Sequence, residues 1–152
     1  MDTTIFARVA QLSDADLLAR VHVLARRERN ATVALIAHLA EIEQRRLHLA
    51  EGYSSLFTYC TQVLHLSEHA SYGRIAAARC VRKFPVILEL LARGVVNLTT
   101  VTLLAPHLTP DNHIEMLARA RHQSRRRVEE LVARLQPHAE VAPTIRKLPP
   151  PR

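Results

Sequence analysis

Three glycines in 152 residues, no tryptophan, and only three phenylalanines and three tyrosines leave little of what several function classes require. Phosphate-cradling P-loops and Gly-x-Gly-x-x-Gly dinucleotide turns depend on clustered glycines, and neither motif occurs. The two cysteines, Cys60 and Cys80, have no second cysteine near either of them, so neither a disulfide framework nor a closely spaced cysteine pair of a zinc site is present. Each falls on the apolar side of its expected helix and reads as a reduced core thiol. No apolar run reaches the roughly eighteen residues of a membrane span, and no basic-then-apolar leader follows Met1. A cytoplasmic protein with no membrane partner is the expectation.

Catalytic signatures are missing as well. The nine histidines are dispersed, and the H-E-x-x-H zincin order does not occur, although His65 and His69 bracket Glu68. His65 and His69 would share a side only in a helix running through Leu66-Ser67, where Ser67 reads as a helix cap. No serine stands in a readable arrangement with a histidine and an orienting acid. We therefore assign no catalytic residue, no metal ligand and no cofactor.

What is present is alanine and leucine in helical rhythm. The hydrophobic fraction of 48% is ordinary, and no β-like alternation of useful length occurs. The expectation is an all-α domain of about seven helices over residues 13–136, after a flexible start at 1–12 and before a proline-rich tail or linker at 137–152. Ser13, with Asp16 three residues on, caps a helix whose Leu17, Leu18, Val21, Leu24 and Ala25 recur at helical spacing. Residues 31–49 repeat the pattern with Leu35, Ile36, Leu39 and Ile42. The intervening RRERN is either a turn, with Asn30 as the break, or the middle of one long helix. Length and balanced charge suit this region to packing or pairing.

Gly52 is expected to end that region in a left-handed conformation. Ser54 or Ser55 caps a helix showing Leu56, Phe57, Cys60, Val63 and Leu64 on one side. Ser67 caps the next, residues 67–83, and the tight corner between them makes 54–83 a helix-turn-helix-like unit. On a wheel, Ala70, Gly73, Ala77, Cys80, Val81 and Phe84 face inward, and Glu68, Ser71, Tyr72, Ile75, Arg79 and Arg82 face outward. Pro85 opens a short helix stopped by Gly94, Asn97 caps 98–104, and Thr109-Pro110-Asp111 starts a helix with Ile114, Leu117 and Ala118 inward. Ser124 caps the last helix, whose seam is Val128, Leu131, Val132 and Leu135.

The net charge of +7 is unevenly placed. Residues 1–52 hold seven basic and seven acidic side chains, whereas 53–152 hold fourteen and seven. Such asymmetry points to an acidic partner for the second part, double-stranded DNA above all. On the outer arc of 67–83, Ser71, Tyr72, Arg79 and Arg82 are placed to reach base edges or phosphates, with Arg74 and Lys83 flanking and the Ser67 cap offering backbone amides. A second cluster, Arg119, Arg121, Arg125, Arg126 and Arg127, surrounds a helix start that favours anions. The bland alternatives are the wet face of an amphipathic helix and locally paired arginines, such as Arg126 with Glu130 at four-residue spacing.

Taken together, GYSSLFTYC, LHLSEHASYGRI and LLAPHLTPDN, within a run from Leu12 to Pro149, resemble the N-terminal helical domain of a family of bacterial HNH endonucleases. The resemblance implies a helical region placed before a separate metal-dependent nuclease domain, which would begin where this sequence stops. Asn112-His113 lacks the surroundings of such a nuclease centre. Two functions follow as expectations: a non-catalytic DNA-binding or targeting module, or a helical module that pairs with a second copy or a separately encoded nuclease.

Overall fold

The computed structural model describes residues 4–135; the tail expected at 137–152 lies outside them. Among the described residues there are nine α-helices and no strand, where about seven helices were expected. In chain order they are α1 (Thr4–Ala10), α2 (Asp14–Arg45), α3 (Leu47–Ala50), α4 (Leu56–Gln62), α5 (Glu68–Lys83), α6 (Val86–Ala92), α7 (Leu98–Leu104), α8 (His113–Ala120) and α9 (Arg125–Leu135), with a 3-10 turn at Ala105–His107. Two of the additions are α1, inside the segment expected to be flexible, and α3, a single turn.

Residues 14–45 form one helix of 32 residues, so the RRERN stretch is helix rather than turn. Arginine and glutamate are good helix formers, and no glycine or proline interrupts the run. Ser13 Oγ accepts the Asp16 amide at 3.1 Å, and Asp14 and Asp16 place negative charge in the first turn. The helix ends where Arg46 turns left-handed (φ 56°). After α3, Gly52 adopts φ 90°, the conformation expected of it.

Most of the expected caps are in place. Ser55 Oγ accepts from Thr58 N at 3.0 Å, Ser67 Oγ from Ala70 N at 3.1 Å, and Asn97 Oδ1 from Thr100 N at 2.9 Å. Thr109 and Asn112 cap reciprocally, each side chain accepting the other's amide, at 3.1 and 2.7 Å. The regular helix α8 begins only after that box.

The centre of the fold is α5, which packs against α2, α4, α6 and α7, while α9 closes over α7 and α8. Ile36, Leu39, Ile87, Val101, Leu104 and Val128 are fully buried in the core, and Cys60 and Cys80 are buried free thiols.

The wheel readings need three corrections. Ser71 and Ile75, expected outward, are buried, because α5 has neighbours on more than one side. Gly73, expected inward, has nothing within 4 Å of where a Cβ would stand, so no neighbour fills that place. On α8 the buried stripe is Met116, Leu117 and Ala120, so Ile114 and Ala118 face out. The stripe is turned toward His113, which stacks on Phe84 with ring centroids 4.5 Å apart. The α9 seam lies as expected.

Candidate functional site

The main surface feature is a helical arm. The second half of α2 is anchored by α5 and α6, but residues 13–31 are all exposed. The apolar stripe does not stop at that boundary. Leu18 and Ile36 lie eighteen positions apart, about five full turns, and so share one azimuth. Ile36 is 0% exposed and Leu18 65%. Val21 and Leu39 repeat the relationship at 54% and 0%. The uncovered part, Leu17, Leu18, Val21 and Leu24, runs along an arm about 27 Å long. Covering a side chain of this size contributes about 1.5–3 kcal/mol, and within one copy the arm forgoes it.

Around the tip, α1 adds more of the same. Ile5, Phe6 and Val9 are all exposed, Phe6 at 76%. At the root the stripe steps through Ala25, Glu28 and Thr32 into a recess of about 470 Å³, closed by Leu91, Gly94 and Leu98 and flanked by Arg29 and Arg74. Gly94 adopts φ 73° and lies against the Arg29 side chain: a Cβ there would stand 3.2 Å from Arg29 Nε. The acids Asp14 and Asp16 mark the tip of the arm.

The residues expected to contact nucleic acid are divided among several places. Tyr72, Arg79 and Lys83 line one groove between α4, α5 and the Ala105–Pro106 turn, with Phe57 on its opposite side. Its volume is about 450 Å³. Tyr72 is 64% exposed. Arg79, however, is held by Glu43 of α2, Nε to Oε1 at 3.1 Å and Nη2 to Oε2 at 3.0 Å. These hydrogen bonds hold its pKa above the ordinary guanidinium value, with partial burial opposing them and the Glu43 charge adding to them. Arg82 Nη1 donates to the Ala40 carbonyl at 3.2 Å, so both arginines tie α5 to α2.

Arg74 faces the recess instead and donates to the Ala70 carbonyl at 3.2 Å. Ser67 is occupied as a cap. Ser71 Oγ is buried without a hydrogen-bond partner among the described residues.

The second cluster is largely neutralised on its own helices. Arg119 pairs with Glu115 at 2.6 Å, Arg125 with Glu129 at 2.9 Å, Arg126 with Glu130 at 3.7 Å and Arg127 with Glu130 at 3.1 Å. These pairs are exposed, so each is worth no more than about 1 kcal/mol and would yield to a stronger anion. Arg121 borders a shallow apolar depression formed by Val86, Leu90, Ile114, Leu117 and Ala118.

Sequence reasoning found the stripe on α2 but not its exposure. Periodicity is identical for a covered and a bare stripe, and only the positions of α5 and α6 separate them. Phe57, grouped with Leu56, Cys60, Val63 and Leu64 on one side of its helix, is exposed along with Val63 and Leu64, and the apolar side of α1 was missed because seven residues are too short for a clear period.

Among the described residues no three His, Cys, Asp or Glu side chains converge as metal ligands do, and no helix is long and apolar enough to cross a membrane. Neither family models, nor curated proteins, nor solved structures contain a match to this chain.

Proposed function

We propose that this protein is a non-catalytic helical interaction module, which assembles with a partner through the apolar stripe of α2 and the adjoining α1. The supporting observation is the continuity of that stripe, buried from Ile36 onward and bare from Leu17 to Leu24. Isolated exposed apolar residues are ordinary on protein surfaces, but a contiguous line of them marks a contact surface. The stripe has the period and width that a second helix fits. The resemblance to the region preceding an HNH nuclease domain accords with a module that assembles or positions another activity.

A photo-crosslinking residue at Val21, in the full chain expressed in its host, tests this reading. We expect adducts at Val21 and none at Arg134, on the remote helix α9. Equal labelling at both positions, or none at Val21, would overturn the reading.

A second reading is favoured by one observation. Tyr72 and Phe57 line the groove that also holds Lys83. Accessible aromatic faces beside a cation suit stacking of nucleic-acid bases with phosphate contact. In this reading the body engages DNA, with the resemblance as its context, while the arm pairs modules. Duplex-specific binding with a steep salt dependence, absent for an acidic polymer of equal size, would support it.

A further inference from the structure

Resting on the interaction reading above, we infer that the occupant of the arm is a second copy of this chain, lying antiparallel, with its tip seated in the recess at the first copy's root. Two observations select this occupant. The stripe runs directly into the recess through Glu28 and Thr32, so a helix following it arrives there. The recess is flanked by Arg29 and Arg74, and the tip of the arm carries Asp14 on the azimuth of the stripe. Antiparallel pairing brings the tip acid to the root arginines at both ends of a two-fold assembly, which is the self-complementarity a closed dimer requires. Parallel pairing fails on the same residues. Asp14 stands within the stripe, and a parallel partner would set it against its own copy and away from the root, whereas in the antiparallel pair Arg29 and Arg74 outweigh Glu28 beside it.

The arm also fixes the expected strength. A strip about 27 Å long and roughly 10 Å wide covers about 270 Å² per copy, well under the roughly 800 Å² per partner of a standard interface, with Phe6 and the recess adding to it. Weak, reversible association across micromolar to near-millimolar protein is therefore expected rather than an obligate dimer.

Sedimentation of the purified full chain from micromolar to near-millimolar concentration tests the inference with three variants. Leu18→Glu with Leu24→Glu puts charge in the stripe. Asp14→Lys reverses the tip, and Arg29→Glu with Arg74→Glu reverses the root. The tip and stripe changes lie on the arm outside the core, so they leave the folded body intact, which helical circular dichroism and a thermal melt will verify.

We expect the wild type to dimerise and the stripe variant to remain monomeric. The tip and root variants should each weaken association by at least about tenfold, and an equimolar mixture of the two should recover most of it, because the reversed charges are then complementary. A monomeric wild type over the whole range overturns the second copy as occupant; crosslinking at Val21 to a different protein would then leave the interaction reading standing. A dimer untouched by the stripe variant overturns both. A dimer lost with the stripe but indifferent to tip reversal overturns the antiparallel arrangement.

Discussion

Leu18 and Ile36 occupy the same azimuth of one helix, about five turns apart, and differ in exposure by nearly the full range, 65% against 0%. One stripe thus serves two purposes, holding the core below and offering a surface above.

The contrast is measurable in stability. Ile36→Ala empties a fully buried site and should cost about 2–5 kcal/mol of unfolding free energy. Leu18→Ala, measured in dilute protein, should stay within about 0.5 kcal/mol of wild type. Urea unfolding of both variants checks this. A large loss at Leu18 in the monomer would mean that the arm is covered in cis.

How much of this was legible in the sequence depends on which physical signal carried it. Local signals held well. Ser13, Ser55, Ser67 and Asn97 cap the helices expected of them, and Gly52 and Gly94 take positive φ where helices stop. These depend on the chain within a few residues. What failed was tertiary. Ser71 and Ile75 sit on the polar side of a single helix, but α5 is surrounded, so a one-sided wheel misplaced them. The bond from Arg79 to Glu43, thirty-six positions earlier, was likewise out of reach of local signals. Local pairing of Arg126 with Glu130 was legible, since four-residue spacing on a helix suffices.

Ser71→Ala tests a consequence of that burial. The hydroxyl is enclosed with no hydrogen-bond partner among the described residues, so its removal should relieve a desolvation cost. We expect unchanged or higher stability, by up to about 1 kcal/mol. A loss of that size would instead show that the hydroxyl makes a hydrogen bond in solution.

The two thiols offer a pH-dependent test. Burial raises the pKa of both Cys60 and Cys80, with Lys83 pulling Cys80 partly back. The folded thiols therefore keep their protons where the unfolded ones lose theirs. Their stabilising contribution is complete below the ordinary thiol value of about 8.5 and is lost as pH rises through the folded values. Between pH 7 and 10.5, urea midpoints should fall more for wild type than for Cys60→Ala with Cys80→Ala. Identical slopes would place the thiols in contact with water.

For the groove, Tyr72→Ala and Lys83→Ala separate stacking from charge. If DNA is engaged there, Lys83→Ala should weaken duplex binding and lower the salt slope by about one. Tyr72→Ala should weaken binding with the slope unchanged. Wild-type affinity in both folded variants would remove the groove from any nucleic-acid role.

Hydrogen exchange along α2 reads the bare arm most directly. A helix without tertiary cover opens readily, whereas one packed into a core exchanges only through larger unfolding. In dilute protein we expect fast exchange over residues 17–29 and slow exchange over 36–43, with the first segment becoming protected as concentration rises through the association range. Equal protection of both segments in dilute monomer would contradict the uncovered arm.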